Sequence, residues 1–111
     1  MTEFKRNGTQ LTVYLCGEID HYSAQSIRED VETLLSRNKT DHLILDFDGV
    51  DFMDSSGVGM VIGRYKTVSA RGGMVSAAGL HPPIDRLFHM AGLHRILEII
   101  DDRIQERDDN D

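Results

Sequence analysis

Cysteine, proline and tryptophan are scarce in this sequence, which has one cysteine, two prolines and no tryptophan among its 111 residues. The lone cysteine, Cys16, excludes an internal disulfide and a metal site built from thiolates alone. No apolar run approaches the roughly 20 residues that a membrane-spanning helix needs. No apolar segment of the signal-peptide kind follows the charged residues at the N-terminus. We therefore expect a cytoplasmic protein that does not associate with a membrane.

Basic residues are also in deficit, and the formal net charge is −7 at pH 7. Because nucleic acid is bound by basic surfaces, this balance argues against a nucleic-acid partner. The acidic residues are concentrated in segment 101–111, which we expect to be an acidic tail or a short helix. The length suits one compact domain and not two, so we predict a single domain over residues 1–111.

The pattern of apolar residues predicts strands that alternate with helices. Alternation or short apolar runs predict strands at 4–7, 11–16, 42–47, 50–53, 74–78 and 96–100. Helical spacing predicts one helix capped by Asp20 or Ser23, a second over about 55–70, and a third opened by Pro82 and Pro83. The dipeptides Asn7-Gly8 and Asp48-Gly49 are expected to be turns. The run 42–47 is almost continuously apolar, which is typical of a central strand covered on both faces.

These elements together predict the α/β class. Strands separated by helices imply a largely parallel sheet, and the tight turn after the first strand implies one antiparallel edge. We expect a small sandwich whose four- to five-stranded, mostly parallel sheet is covered by three to four helices. Helical spacing predicts these buried residues: Ala24, Ile27, Val31, Leu34 and Leu35; then Val58, Val61, Ile62, Tyr65 and Val68; then Ile84, Leu87, Phe88 and Ala91.

The stretch 51–66 carries the strongest local signals, because an apolar strand end, a polar turn and a helix start follow one another there. Asp54 and Ser55 are residue types that cap helix starts, since their side-chain oxygens accept from the free N–H groups of the first turn. The positive end of the helix dipole also favours phosphate. A serine at this turn is therefore either a plain cap or a place where a phosphate can be attached and tolerated.

Three glycines, Gly57, Gly59 and Gly63, lie inside the second helical pattern. Each costs a helix roughly 1 kcal/mol relative to alanine. Gly59 and Gly63 are four residues apart and share one face, which is not centred on the apolar residues. Two interpretations are open: these glycines let the helix lie close to the sheet, or they leave a smooth strip where a partner's backbone can approach.

Motifs for catalysis and for cofactor binding are incomplete. The nucleophile elbow Gly-x-Ser-x-Gly lacks its first glycine, because Met53 or Asp54 stands there, and no histidine is obviously placed as a base. Neither a Walker phosphate loop nor a dinucleotide fingerprint is present. The five histidines lack the spacing of metal ligands. The cluster of Asp46, Asp48, Asp51 and Asp54 matches a phospho-accepting magnesium site only remotely. We predict no enzyme activity, no metal and no cofactor.

The run Met-Asp-Ser-Ser-Gly-Val-Gly at 53–59, continued by Ile-Gly-Arg-Tyr-Lys at 62–66, resembles the STAS domain of bacterial anti-sigma factor antagonists. The stretches 17–21, 72–75 and 86–93 agree with the same family, so the resemblance covers nearly the whole chain. The runs Gly-Arg-Tyr-Lys and Leu-Phe-His-Met-Ala-Gly-Leu favour the branch that acts in the sporulation sigma-F pathway over the general stress-response branch.

The resemblance implies a partner switch rather than a catalyst. The unphosphorylated protein would bind an anti-sigma factor that is also a serine kinase of the GHKL type, and would thereby release the sigma factor. The kinase would phosphorylate the first serine of the turn, here Ser55, and a PP2C-type phosphatase would restore the active form. The resemblance also implies partner contacts by Asp20, Asp54, Ser56, Gly57, Gly59, Met60 and Gly63. We expect the protein to be a monomer.

Three alternatives to this switch are open. In the first, the protein is a STAS regulator of another partner switch, such as a stress-response antagonist or a stressosome scaffold. In the second, it is a small serine hydrolase that uses Ser55 or Ser56. In the third, it is a structural module in which Asp54 and Ser55 only cap a helix; Asp20 likewise has the alternative role of a plain N-cap.

Overall fold

The computed structural model describes residues 2–100, so the expected tail or helix at 101–111 lies outside the described residues. Its elements are β1 (Glu3–Asn7), β2 (Gln10–Ile19), α1 (His21–Arg37), β3 (His42–Met53), α2 (Ser55–Ala70), β4 (Met74–Ala78), α3 (Ile84–Met90), a 3₁₀ turn (Leu93–Arg95) and β5 (Glu98–Ile99). The α/β class is confirmed, as are the bounds predicted for α2 and β4. The last strand is shorter than the expected 96–100.

The five strands form one sheet in the order β1-β2-β3-β4-β5. β1 and β2 are antiparallel, whereas the other neighbours are parallel. The predicted mixed sheet with an antiparallel edge strand is therefore confirmed. Asn7 pairs with Gln10, so the hairpin loop is Gly8-Thr9 rather than the expected Asn7-Gly8. Gly8 has φ +63°, a left-handed conformation that glycine adopts without strain in such loops.

The expected turn at Asp48-Gly49 is wrong, because β3 runs through it without a break. Tyr14 of β2 pairs with Asp46, and Cys16 pairs with Gly49, so β3 carries one residue more than β2 between these pairs. Such a bulge accommodates an extra residue and increases the local twist while the strands stay paired. The polar dipeptide thus marks an irregularity inside the strand.

The core lies against one face of the central strands. All five residues predicted to be buried on α1 are buried, which confirms that face. Alternate residues of the sheet are buried with them: Leu11, Val13 and Leu15 in β2, and Leu43, Leu45 and Phe47 in β3. Ile44 and Asp46 are only half-buried. The expectation that this strand is covered on both faces is therefore wrong for the described residues, since neighbouring residues of a strand point to opposite faces.

α2 is rotated from its predicted orientation. Its buried residues are Gly57, Met60, Val61, Arg64 and Val68, whereas Val58, Ile62 and Tyr65 are only partly buried against the core. The reason is that α2 packs beside α1 as well as on the sheet, and Arg64 forms an ion pair there with Glu32 of α1. In α3, Ile84 and Phe88 are buried, but Ala91 is exposed as the C-cap.

No helix within residues 2–100 combines the length and the apolar character that crossing a membrane requires. The longest, α1, has 17 residues and carries charged side chains along its exposed face.

Candidate functional site

The register of the sheet brings the starts of α1 and α2 together. Ile19 at the end of β2 lies opposite Met53 at the end of β3. Each strand is followed by one capping residue, Asp20 or Asp54, and then by a helix. The Asp54 N–H also donates to the Ile19 carbonyl oxygen at 3.2 Å, which ties the two turns to each other. Two positive helix ends therefore lie at the same edge of the sheet.

The turn before α2 leaves the predicted phosphorylation residue accessible. Asp54 is the N-cap, and its Oδ1 accepts from the Ser56 N–H at 2.8 Å. Ser55 is the first residue of α2 and is exposed, whereas Ser56 is half-buried. Because Asp54 supplies the cap, the Ser55 hydroxyl is outside the capping bonds. The interpretation of Ser55 as a plain cap is therefore disfavoured.

Asp20 caps α1 through a reciprocal set of hydrogen bonds. Its Oδ1 accepts from the N–H groups of Tyr22 and Ser23, each at 3.0 Å. In return the Ser23 Oγ accepts from the Asp20 N–H at 2.9 Å, which completes a capping box. The bond from the Ser23 N–H is the main cause that holds the pKa of Asp20 below its usual value. Asp20 thus has the N-cap role that the sequence offered as an alternative to partner contact.

The lowered pKa of Asp20 gives a prediction for acid stability. The carboxylate stabilises the fold above the unfolded pKa, near 3.9, and that stability is lost as the pH falls through the lower folded pKa. Asparagine caps helices about as well as aspartate but does not titrate. Asp20→Asn should therefore keep the stability at neutral pH and reduce its loss on acidification. Urea unfolding across the acid range checks this, with Asp51→Asn as the control; identical acid profiles for Asp20→Asn and wild type would contradict it.

The three glycines of α2 have different surroundings. A Cβ added at Gly57 would lie 2.2 Å from the Cγ and 2.6 Å from the Sδ of Met53, which is buried. The fold therefore requires Gly57 for internal packing. A Cβ at Gly59 or at Gly63 would meet no atom within 4 Å. The interpretation that these two glycines let the helix lie close to the sheet is therefore wrong, and they leave an open strip on α2.

A groove with a volume of about 480 Å³ runs along this strip between α1 and α2. We call it the interhelical groove; α2 lines it with Ser56, Gly59, Met60, Gly63 and Arg64, and α1 with His21, Ala24, Gln25 and Arg28. Met60, expected as a partner contact, is only 5% exposed. It belongs to the floor of the groove rather than to its rim. The predicted residues Ser56, Gly59, Met60 and Gly63 thus share one concave surface.

Sequence reasoning missed Arg64 on the α2 side of this groove, although it was part of the family motif, and it missed the four α1 residues of the lining. Arg64 is 5% exposed, and its Nε lies 2.9 Å from Oε1 of Glu32. Burial lowers the pKa of Arg64, and the Glu32 carboxylate opposes that shift. Its Nε and Nη1 are buried, and neither makes a hydrogen bond within residues 2–100, so its contact with Glu32 is an ion pair without hydrogen-bond geometry. The available signal was its position three residues after Val61 and four before Val68, both of which are buried.

Within residues 2–100, a serine, a histidine and a carboxylate also meet away from this turn, across the neighbouring strands β3, β4 and β5. The Ser76 Oγ lies 2.6 Å from the His42 Nε2 and donates to Oε1 of Glu98 at 3.1 Å. Ser76 is fully buried and stands between the other two, whereas a hydrolytic triad places the histidine in the middle. Among residues 2–100 no group of three or more His, Cys, Asp or Glu side chains is arranged to hold a metal ion.

Sequence comparison matches this chain to a family model and to relatives of described function. The family model described as the STAS domain matches residues 2–106. The anti-sigma F factor antagonist of Paenibacillus polymyxa is 34% identical over 102 residues, which cover 92% of this chain and 87% of that relative. The anti-sigma-B factor antagonist of Bacillus subtilis (strain 168) is 34% identical over 97 residues, which cover 87% of each chain.

Structure comparison finds the same kind of protein. The anti-sigma factor antagonist SpoIIAA in its unphosphorylated form superposes with a TM-score of 0.75 at 25% identity, over 99% of this chain and 96% of that one. The Bacillus cell fate determinant SpoIIAA in its phosphorylated form gives 0.72 at 26% identity, over 96% and 98%. Because the family match spans most of the sequence and the relatives agree with it, this chain belongs to the STAS-domain family and is similar to its anti-sigma factor antagonists.

Proposed function

We propose that this protein is an anti-sigma factor antagonist that phosphorylation of Ser55 switches off. The unphosphorylated form binds an anti-sigma factor that is also a GHKL-type serine kinase, and so releases the sigma factor. A PP2C-type phosphatase removes the phosphate and restores binding. The protein is a monomer in the cytoplasm and is the substrate of the switch, not a catalyst. The observation that carries this proposal is the exposed Ser55 hydroxyl at the start of α2, outside the capping bonds of Asp54.

The position of Ser55 suits a modification that changes binding without unfolding the protein. A phosphate adds about −1.5 to −2 charges at neutral pH, and the N-terminus of a helix tolerates such a charge. The neighbouring Asp54 already places a carboxylate at this turn. The added charge therefore acts mainly on a partner docked over the turn, while the fold of the free protein is preserved.

A second candidate is a STAS regulator of a stress-response partner switch, either an antagonist or a stressosome scaffold. It is favoured by sequence identity: this chain is 34% identical to the anti-sigma-B factor antagonist and equally 34% identical to the anti-sigma F factor antagonist. Both candidates use the same turn and differ in the kinase that recognises it. The discriminating measurement is which anti-sigma kinase of the same genome phosphorylates the chain.

Incubation with ATP and that kinase should add one phosphate to the wild-type protein and to Ser56→Ala, but none to Ser55→Ala. The reason is that Ser55 is exposed, whereas Ser56 is half-buried and its N–H is held by Asp54. Intact-mass spectrometry reads the result directly. Circular dichroism of both variants is the control for folding.

Each other outcome of this experiment corrects a different part of the proposal. Loss of the phosphate only in Ser56→Ala keeps the switch and moves the site by one residue. If an active kinase of the sporulation type adds no phosphate and one of the stress-response type does, the second candidate replaces the first. No phosphate from any active anti-sigma kinase of the genome overturns phosphorylation as the switch.

A further inference from the structure

We infer that the interhelical groove receives an acidic side chain of the partner kinase, which Arg28 and Arg64 bind. This inference rests on the proposed function and deepens it, because it states the chemistry of the contact and names the residues that make it. The partner group is the carboxylate of an aspartate or glutamate carried on a segment that lies along the open strip of α2.

The charge of the groove is opposite to the charge of the chain. The chain has a net charge of −7, but the residues of 2–100 that line the groove include Arg28 and Arg64 and no carboxylate. His21 adds a ring nitrogen near the start of α1. A concave surface of one charge attracts partner groups of the opposite charge and sets which partner is accepted. An acidic side chain therefore fits this groove, and a basic one does not.

Arg64 has binding capacity that the described part of the chain leaves unused. Its Nε lies 2.9 Å from Oε1 of Glu32, but neither Nε nor Nη1, both of which are buried, makes a hydrogen bond within residues 2–100. A buried donor without an acceptor is unfavourable, so a group that supplies one gains affinity. The guanidinium presents a planar fork of donors that matches a carboxylate. Arg28 lies close enough to Arg64 for its charge to lower the pKa of Arg64, so the two guanidiniums act on the same part of the groove.

The glycines of the strip provide access to these arginines. A Cβ at Gly59 or Gly63 would meet nothing within 4 Å, so the chain's own packing does not explain why glycine stands there. Glycine allows another backbone to approach closely. A short acidic side chain on that backbone can then reach the groove, where Met60 in the floor contacts its methylene groups.

This contact also links the groove to the switch. Ser56 lines the groove and Ser55 directly precedes it. A phosphate on Ser55 would bring about −1.5 to −2 charges close to the bound carboxylate. The phosphate repels the same group that the arginines attract, so the partner is released while the antagonist stays folded.

Reversal of charge at Arg28 tests the inference on a variant that folds. Arg28 is exposed and forms no ion pair with residues 2–100, so Arg28→Glu removes no internal contact of that kind. We expect its Kd for the anti-sigma kinase of the same genome, measured with ADP, to rise about tenfold or more. Its Kd should also respond less to sodium chloride, since screening then acts on one attraction fewer. Arg86→Glu on α3 makes the same change of charge away from the groove and should change the Kd by no more than about twofold.

A second variant tests Arg64. Arg64→Met combined with Glu32→Gln removes the guanidinium without leaving a half-buried carboxylate unpaired, and we expect it to weaken binding about tenfold. A third measurement replaces each exposed Asp and Glu of the kinase by Arg. One of these kinase variants should bind Arg28→Glu more tightly than the unmodified kinase does.

The outcomes separate this inference from the proposed function. Equal weakening by Arg28→Glu and Arg86→Glu, or rescue by none of the kinase variants, overturns the carboxylate contact and leaves the antagonist role intact. Absence of binding between the wild-type protein and the active kinase overturns the proposed function, and the inference with it. If only the groove variants bind the kinase more weakly, and one kinase substitution restores the affinity of Arg28→Glu, the result supports both the carboxylate contact and the proposed function.

Discussion

Phosphate on Ser55 is expected to raise the Kd for the anti-sigma kinase by about 100-fold or more, which corresponds to about 2.7 kcal/mol. The fold of the free protein should hardly change. Ser55 is exposed at the first position of α2, so the phosphate meets solvent and the positive end of the helix. In the complex the same charge meets the partner, and like charges brought together across an interface cost several kcal/mol.

Calorimetric titration of the kinase with the phosphorylated and unphosphorylated proteins measures the loss of affinity, and thermal unfolding measures the fold. We expect the two Tm values to agree within a few degrees. Ser55→Asp should lose part of the affinity, since it carries less charge than a phosphate. Ser26→Asp on α1 is the matched control, because Ser26 is exposed and does not line the groove.

Two results would contradict the proposal that the phosphate lowers affinity by charge repulsion at the docked surface. Equal affinities of the two forms would mean that the charge at Ser55 does not reach the partner. A Tm that falls steeply on phosphorylation would mean that release follows from unfolding of the turn, not from conflict at the docked surface. Ser55→Ala separates the chemical step from binding, since it should bind like the wild type and stay bound when ATP is added.

The parts of the fold that follow from local signals were predictable. The bounds of α2 are set by the cap at Asp54 and by glycine after its end, and both signals lie within a few residues of the helix. The buried face of α1 follows from helical spacing alone, because that helix has one apolar stripe and a charged remainder. Local chemistry also limited the cap of α1 to Asp20 or Ser23, and the structure assigns it to Asp20, with Ser23 at the third helical position of the capping box.

The parts that depend on distant neighbours were not predictable in the same way. The bulge in β3 exists only relative to β2, so Asp48-Gly49 taken alone reads as a turn. The rotation of α2 depends on α1, because the ion pair between Arg64 and Glu32 makes a charged position part of the buried face. A single sequence offers no direct signal for either pairing.

The candidate site likewise has a part that local sequence predicted and a part that depends on long-range contacts. The sequence located Ser55 at a helix start. The turn that contains Asp20 lies beside the turn that contains Ser55 because Ile19 pairs with Met53, and that pairing is a long-range contact. The three glycines of α2 are chemically identical and differ only in their neighbours. In the packed structure Gly57 is crowded, whereas Gly59 and Gly63 have open space around them. Gly57 therefore serves internal packing, and the other two form the open strip.

Valine in place of Gly57 is therefore expected to lower the free energy of unfolding by about 3 kcal/mol or more, at the upper end of what overpacking costs. Its Cβ alone would lie 2.2 Å from the Cγ of Met53 and 3.1 Å from the Cγ2 of Ile19, and both residues are buried. The two methyl groups beyond the Cβ need still more room. Displacement of Met53 would disturb the strand end that precedes Asp54, so the turn that presents Ser55 should loosen as well.

Valine in place of Gly59 is the matched substitution in the same helix. Its free energy of unfolding should change by less than about 0.5 kcal/mol, since the new Cβ meets no atom within 4 Å and valine is a slightly better helix former than glycine. Its affinity for the kinase should nevertheless fall, because the side chain covers the open strip. Urea unfolding and calorimetric titration of both variants give the comparison. If Gly59→Val binds like the wild type, the partner does not lie along α2; if Gly57→Val is as stable as the wild type, Met53 has room that the packing around it does not reveal.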